Sequence, residues 1–202
     1  MLKGRNLSYR FTSRGPWLFS SVDITVRPGK VLGILGPSGC GKSTLAHILA
    51  GFLTPQRGEV TTNGRPLPRN GCCPVQLLYQ HPELAVNPNW KVARILNECY
   101  SPEEDLLHDL SISSQWLDRY PHELSGGEIQ RISVARALGP GTRYLIADEM
   151  TAMLDARTQA RIWKTVLSHC RRRDIGILAI SHNRPLLDRI CDTILNAPLV
   201  EA

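Results

Sequence analysis

The spacing of apolar residues along the chain predicts β-strands that alternate with α-helices. Val22, Ile24 and Val26 alternate with polar residues, which is the pattern of a half-buried strand. Further strands are predicted at residues 31–35, 58–62, 75–79, 144–147 and 175–180. Helices are predicted where apolar residues recur on one face, at residues 42–50, 129–138 and 162–170. Strands that alternate with helices predict an α/β fold around a parallel sheet.

An acidic segment with a different pattern interrupts this alternation. Residues 81–121 contain short stretches of helical spacing, at Val92, Ile95, Leu96 and Cys99 and again around Leu106, with prolines and serines between them. The segment carries seven acidic and three basic residues, whereas the whole chain has a net charge of +6. We predict that it is a small helical insertion, and that residues 1–80 and 122–202 form one core domain.

Composition narrows the class of protein only slightly. The chain has 202 residues, enough for one α/β core, and no apolar run approaches the ~20 residues that span a bilayer. Its N-terminus lacks the apolar stretch of a secretory signal, so we predict a soluble, cytoplasmic protein. The six cysteines lack zinc-site spacing and are interpreted as ordinary small apolar residues. The basic balance suits nucleotide, nucleic acid or an anionic membrane, and decides nothing by itself.

The clearest chemical motif is a glycine-rich loop between a predicted strand and a predicted helix. Residues 36–43 read GPSGCGKS, the spacing G-x-x-x-x-G-K-S of a phosphate-binding P-loop. Glycines let backbone amides surround a polyphosphate, and the helix N-terminus adds a partial positive charge. Lys42 can reach the β- and γ-phosphates, and the Ser43 hydroxyl can bind Mg²⁺. The predicted nucleotide-binding residues of the loop are Gly36, Pro37, Ser38, Gly39, Cys40, Gly41, Lys42, Ser43 and Thr44.

An ordered series of motifs follows the P-loop. It consists of Gln80, Leu124-Ser125-Gly126-Gly127-Glu128, Asp148-Glu149, Asp155 and His182. With the P-loop, this series closely resembles the ATP-binding subunits of ABC transporters through nearly the whole chain. The LSGG sequence followed by Gln130-Arg131 is highly specific to that superfamily. The resemblance implies a P-loop NTPase fold of the ABC ATPase type, with a mostly parallel sheet, N-terminal antiparallel strands and a small helical insertion.

Three stretches narrow the resemblance to one branch of the superfamily. Residues 80–88, QHPELAVNP, look like the Q-D-P-x-x-S-L-N-P segment of the oligopeptide, dipeptide and nickel uptake branch. Residues 119–127 and the N-terminal residues 6–11 are similar to the same branch. This resemblance implies an importer of a peptide, nickel or another metal complex.

The resemblance also implies roles for individual residues. Asp148 would hold Mg²⁺ together with Ser43 and Gln80. Glu149 would be the general base of ATP hydrolysis, with Lys42 and Gln80 also contributing to catalysis. His182 would hydrogen-bond the γ-phosphate.

The adenine contact is less specific. By the family's spacing Phe11 would stack on adenine. Tyr9 is the alternative, and ordinary core packing stays open for either ring.

The same resemblance implies a dimer and membrane partners. The signature segment, residues 124–128, would bind the γ-phosphate of ATP held by a second ATP-binding subunit in a head-to-tail dimer. The D-loop, residues 152–155 with Asp155, would cross that interface. The implied cofactors are ATP and Mg²⁺. The implied partners are transmembrane permease subunits and, indirectly, an extracytoplasmic substrate-binding protein, with no nucleic acid, on the inner face of the cell membrane.

Three positions depart from the family pattern without removing a catalytic group. Met150 replaces a proline, Met153 stands where alanine is common, and Glu128 replaces the glutamine after LSGG. Typical relatives also continue beyond the length of this chain, which is either a minimal or a shortened subunit. Two alternatives stay open: a non-transport ABC protein that acts on nucleic acid or ribosomes, and a regulatory cassette without turnover.

Overall fold

The computed structural model describes residues 1–68 and 70–197, so the last five residues of the predicted core domain lie outside the described residues. The strands are β1 (Leu2–Tyr9), β2 (Phe19–Val26), β3 (Val31–Leu35), β4 (Arg57–Thr62), β5 (Arg65–Pro66), β6 (Val75–Leu78), β7 (Tyr144–Asp148), β8 (Gly176–Ser181) and β9 (Thr193–Asn196). The α-helices are α1 (Lys42–Leu49), α2 (Val92–Leu96), α3 (Glu104–Asp109), α4 (Gly126–Ala137), α5 (Ala156–Arg172) and α6 (Arg184–Ile190). Short 3-10 helices span Pro82–Ala85, Ser114–Trp116 and Pro121–Glu123.

A parallel sheet carries the loops that follow the predicted motifs. Its strand order is β6-β7-β8-β3-β9, and every neighbouring pair runs parallel. Strands β7 and β8 are buried along their whole length, which explains their uninterrupted apolar sequences. Because parallel strands end at the same edge, the loops after β3, β6, β7 and β8 meet there. The predicted α/β class with a mostly parallel sheet is confirmed.

A second, antiparallel sheet covers helix α1. Its order is β2-β1-β4-β5, as predicted for the N-terminal strands. One apolar cluster joins this sheet, through Val22 and Ile24, to Leu45 and Ile48 of α1 and to Ile146 of β7. Helix α1 is thus held between two sheets, and its N-terminus points to the loop that precedes it.

The helical segment packs on the opposite side of the parallel sheet. A second apolar cluster contains Ile95 and Leu106 of this segment, Ile132 of α4, Val166 of α5 and Ile177 of β8. Helices α2 and α3 of this segment end at Leu96 and Asp109, before the last apolar residues of their spacing, Cys99 and Leu110. None of the helices in the described ranges is both long and apolar enough to span a bilayer.

One detail of the predicted helical segment is wrong. The apolar spacing extends a helix to Cys99, but α2 ends at Leu96 and Cys99 is exposed. The side chain of Asn97 donates a hydrogen bond to the Ala93 carbonyl at 2.7 Å and competes with continuation of the helix.

Candidate functional site

A cleft of about 500 Å³ lies at the carboxyl edge of the parallel sheet. Its lining contains Phe11, Ser38, Gly39, Gly41, Lys42, Ser43, Thr44, Gln80, Glu149 and His182, together with Leu18. Residues more than 170 positions apart in sequence therefore meet in one cavity. Gly36, Pro37, Cys40 and Asp148 lie behind this lining and contact or neighbour its residues. Leu18 has no sequence signal that marks it for the cleft.

The loop before α1 encloses the ammonium group of Lys42. Gly39 and Gly41 have positive φ values, 84° and 93°, a conformation that favours glycine. The Lys42 Nζ donates hydrogen bonds to the carbonyl oxygens of Gly36 at 2.9 Å and Pro37 at 2.6 Å. Helix α1 has no acidic residue in its first turn. Its N-terminus and Lys42 together form a cationic end that suits a polyphosphate.

Asp148 is the last residue of β7 and is a buried carboxylate next to Ser43. It is 7% exposed, and its Oδ1 has no hydrogen-bond partner among the described residues. Burial raises the pKa of the Asp148 carboxyl, and the neighbouring Ser43 hydroxyl opposes that rise. A buried oxygen without a partner beside a hydroxyl is a donor set that suits a hard divalent cation.

Glu149 and His182 form a pair at the cleft wall. The His182 Nδ1 lies 3.0 Å from the Glu149 Oε2, and its N–H is the donor when Glu149 is a carboxylate, since a carboxylate only accepts. The Glu149 side chain is 12% exposed. Glu149 has a φ of 48°, which is rare outside glycine, and its amide donates to the Ile180 carbonyl at 3.0 Å. This strained turn after β7 directs the carboxylate into the cleft.

Of the two candidate aromatic residues, Phe11 lines the cleft. Its side chain is 73% exposed. Tyr9 is partly buried, with its ring centroid 5.5 Å from that of Phe11 and 6.4 Å from that of Phe19. Tyr9 therefore supports the position of Phe11 and does not itself line the cleft.

The signature segment lies apart from the cleft and caps helix α4. Among the described residues that line the cleft, none belongs to residues 124–128. Ser125 is the N-cap of α4, and Glu128 accepts from its backbone N–H at 2.7 Å and from its hydroxyl at 2.8 Å. This is a capping box, and the Ser-x-x-Glu spacing is its sequence signal. Gly127 is adjacent to the D-loop, because a Cβ built there lies 3.4 Å from a methyl carbon of Leu154.

The D-loop is attached to helix α5. Asp155 caps α5 by accepting from the amides of Arg157 and Thr158, each at 3.0 Å. Hydrogen bonds from Thr158 lower the pKa of the Asp155 carboxyl. Within the loop that leads to it, Met150 is buried and Met153 is 66% exposed.

A buried hydrogen-bond network holds the start of this loop. The Thr151 hydroxyl accepts from the Gln159 Nε2 at 2.8 Å and from the Trp163 Nε1 at 3.2 Å. These partners are not detectable from sequence, because eight and twelve residues separate them from Thr151.

A groove of about 650 Å³ lies between the α1 end of the core and the helical segment. Phe52 and Leu84 in its lining are 62% and 76% exposed. Phe52 and Tyr79 form an aromatic pair with ring centroids 6.3 Å apart. Arg136 of α4 donates to the Ala85 carbonyl at 2.5 Å and so joins α4 to the segment that follows Gln80. Phe52 and Leu84 have no sequence signal that marks them for this groove.

Comparisons with known proteins agree on one family. The family model described as ABC transporter matches residues 19–152. A probable D,D-dipeptide transport ATP-binding protein of Escherichia coli K12 is 33% identical over an alignment of 215 residues, gaps included. The alignment covers 96% of this chain and 68% of that protein. A nickel import ATP-binding protein of Rhodospirillum rubrum is 32% identical over 212 residues, covering 93% and 76%. The dimeric structure of a post-hydrolysis state of an ATP-binding cassette, bound to ADP and Pi, superposes with a TM-score of 0.82 at 21% identity, covering 100% and 97% of the two chains, and shares the fold.

Proposed function

The chain belongs to the ABC transporter family, and from that premise we propose that it binds and hydrolyses ATP to drive an importer of peptides or nickel. The observation that carries the proposal is the cleft, where the Lys42 ammonium and the Glu149–His182 pair face one cavity. A purely structural glycine turn has no need for an acid and a histidine on the opposite wall.

The phosphates of ATP would bind where Lys42 now donates to carbonyl oxygens of its own loop. An anionic oxygen forms stronger, charge-assisted hydrogen bonds than a carbonyl, so ATP competes well for the ammonium. Phe11 would stack on adenine with its exposed ring. The residues fit Mg²⁺: Ser43, Gln80 and Asp148 would hold it, and when bound it supplies positive charge at the phosphate oxygens.

Hydrolysis would use Glu149 as the base that orients and deprotonates the attacking water. Its backbone turn and the hydrogen bond from His182 hold the carboxylate in place. A neutral imidazole has one N–H, so His182 would release Glu149 and donate to the γ-phosphate when ATP is bound, since phosphate oxygens only accept. General-base catalysis of this kind contributes about 10²- to 10⁴-fold.

The separation of the signature segment from the cleft supports a dimer. We propose that Ser125, Gly126 and Gly127 bind the γ-phosphate of ATP in the cleft of a second ATP-binding subunit, while Asp155 and its D-loop cross the interface. Leu124 and Glu128 complete this segment, and Gly126 and Gly127 form the start of α4, a helix end that favours an anion. A single chain would then hydrolyse ATP poorly.

The groove between core and helical segment is the proposed contact for the permease. Exposed Phe52 and Leu84 offer apolar area to a short segment of a transmembrane partner on the cytoplasmic face of the membrane. Residues 81–121 would act as a helical subdomain that passes the motion of ATP binding to the permease. An extracytoplasmic substrate-binding protein would act on the permease from the other side.

Steady-state ATP hydrolysis over a wide range of protein concentration tests this function. Specific activity should rise with concentration as dimers form, and Glu149→Gln should abolish turnover while ATP still drives dimerisation. Glu59→Gln, a matched change on exposed strand β4, should leave the activity unchanged. ATP binding without turnover at any concentration, even with candidate permease and ATPase partners added, would favour a regulatory cassette.

A further inference from the structure

We propose that the Glu128 carboxylate opposes ATP-driven closure of the dimer, because its negative charge lies beside the Ser125 hydroxyl that would donate to the γ-phosphate. The inference rests on the proposed role of the signature segment in a dimer. It concerns a position where the family pattern has glutamine and this chain has glutamate. Glu128 would thus be a positioning residue that sets the affinity of the signature segment for phosphate.

Ser125 donates two hydrogen bonds to one oxygen of Glu128. Its hydroxyl donates to the Glu128 Oε2 at 2.8 Å, and its backbone N–H donates to the same oxygen at 2.7 Å. A serine hydroxyl has a single proton to donate. A phosphate oxygen accepts only, so Ser125 must release Glu128 before it can donate to ATP.

The negative charge of Glu128 lies where the proposed phosphate would bind. The side chain lies in the first turn of α4, where a carboxylate offsets the partial positive charge of the helix N-terminus. Among the residues that the structure describes, no lysine, arginine or histidine forms an ion pair with Glu128. A phosphate that approached the same hydroxyl would lie within about 5 Å of this carboxylate, and a closing interface weakens the screening by water.

The first turn of α4 has open space at Gly126. A Cβ built at Gly126 meets no atom within 4 Å, so an incoming group has room at the first turn of α4. The obstacle to an anion is therefore electrostatic and not steric. Capping alone does not require a charge here, because glutamine also serves at this position of a capping box.

The test measures ATP-driven dimerisation by sedimentation, with Glu149→Gln present in every protein to prevent turnover. Glu128→Gln should lower the dimer dissociation constant about tenfold or more, the size expected for one relieved repulsion between partly desolvated charges. Glu128→Asp keeps the charge and should give a much smaller change. Glu123→Gln is the matched control, since the Glu123 Oε2 accepts from the Tyr120 N–H at 2.7 Å in a neighbouring capping box outside the signature segment.

Thermal unfolding without nucleotide separates this role from a structural one. Removal of the carboxylate should lower Tm by ~1–3 °C, because it stabilises the α4 N-terminus. Tighter dimers from a less stable monomer cannot arise from better folding. A dimer constant that is unchanged or weaker in Glu128→Gln, or no ATP-dependent dimer in either protein, overturns the inference. A different result would contradict the proposed function itself: ATP binding that is unchanged in the Lys42→Ala variant.

Discussion

The chain has two helix N-termini that the proposed mechanism assigns to phosphate, and they differ in charge. Helix α1 begins at Lys42 with no acidic residue in its first turn. Helix α4 begins at Gly126 with Glu128 in its first turn, and that carboxylate already accepts two hydrogen bonds. The first terminus attracts an anion strongly, whereas the second satisfies its own donors.

This difference separates binding from closure. ATP should bind to the α1 terminus of one chain with most of its affinity, since the cation and the loop amides are in place before it arrives. The α4 terminus adds affinity only when a second subunit approaches, and part of that gain is offset by the displacement of Glu128. Weak binding of phosphate at the α4 terminus keeps the dimer reversible, as a cycle of closing and opening requires.

The largest effect should come from removal of the cation at the α1 terminus. Lys42→Ala should weaken ATP binding about 100-fold, because several charge-assisted hydrogen bonds to phosphate are lost. Isothermal titration calorimetry of the isolated chain measures this. Lys30→Ala removes an exposed lysine paired with Asp192 and should leave the affinity unchanged. Equal losses in the two variants would show that net charge, and not the loop, attracts ATP.

A smaller effect should follow from a change on the side of the α4 terminus. Thr151→Val removes the acceptor of Gln159 and Trp163 and leaves a buried indole N–H without its partner. The cost should be about 1–2 kcal/mol of unfolding free energy, or ~3–6 °C in Tm. Calorimetric melting measures it, and ATP affinity of the monomer should stay the same because Thr151 does not line the cleft.

The control for Thr151→Val is Thr25→Val on an exposed position of β2, where valine is well tolerated. If both valine variants melt at the temperature of the unmodified chain, the Thr151 network contributes nothing to the D-loop. If Thr151→Val weakens ATP binding to the monomer, the D-loop side of the chain and the ATP cleft are coupled within one subunit.

The residues that surround the α1 terminus can be predicted from the sequence more fully than those that surround the α4 terminus. The P-loop follows β3, Asp148 ends β7, and Glu149 and His182 follow β7 and β8. The rule that parallel strands end at one edge therefore brings them together. Strand order and the conformation of the Glu149 backbone depend on contacts between distant residues and have no local signal.

The α4 side depends on geometry within a few residues and across long intervals. The Ser-x-x-Glu spacing predicts a capping box, but not that both donors of Ser125 reach one oxygen of Glu128. The bonds from Gln159 and Trp163 to Thr151 form only when α5 packs against the D-loop. The early end of α2 at Leu96 likewise depends on the Asn97 side chain, which competes with an otherwise helical pattern.

The smallest expected effect is on the stability of the nucleotide-free chain, which the buried Asp148 carboxylate of the cation site lowers. Asp148 is buried with an unpartnered oxygen, and burial raises the pKa of its carboxyl above the value in the unfolded chain. Its ionisation is thus harder in the folded protein, so its contribution to stability is complete below the unfolded pKa and is lost as pH rises through the folded pKa. At neutral pH Asp148→Asn should therefore raise Tm of the nucleotide-free chain, by ~2–4 °C for about 1 kcal/mol.

The same substitution should abolish the further rise in Tm that MgCl₂ adds in the presence of ATP, because a neutral amide is a poor ligand for Mg²⁺. Differential scanning calorimetry at acid and neutral pH, with and without MgCl₂, measures both effects. The gain from Asp148→Asn should shrink in acid, where Asp148 is protonated in either state. Asp23→Asn, at an exposed position of β2, should show neither the gain nor the altered response to MgCl₂. A loss of stability in the Asp148 variant at neutral pH would mean that the carboxylate is held by the fold itself, and the α1 terminus would then carry no cost before ATP arrives.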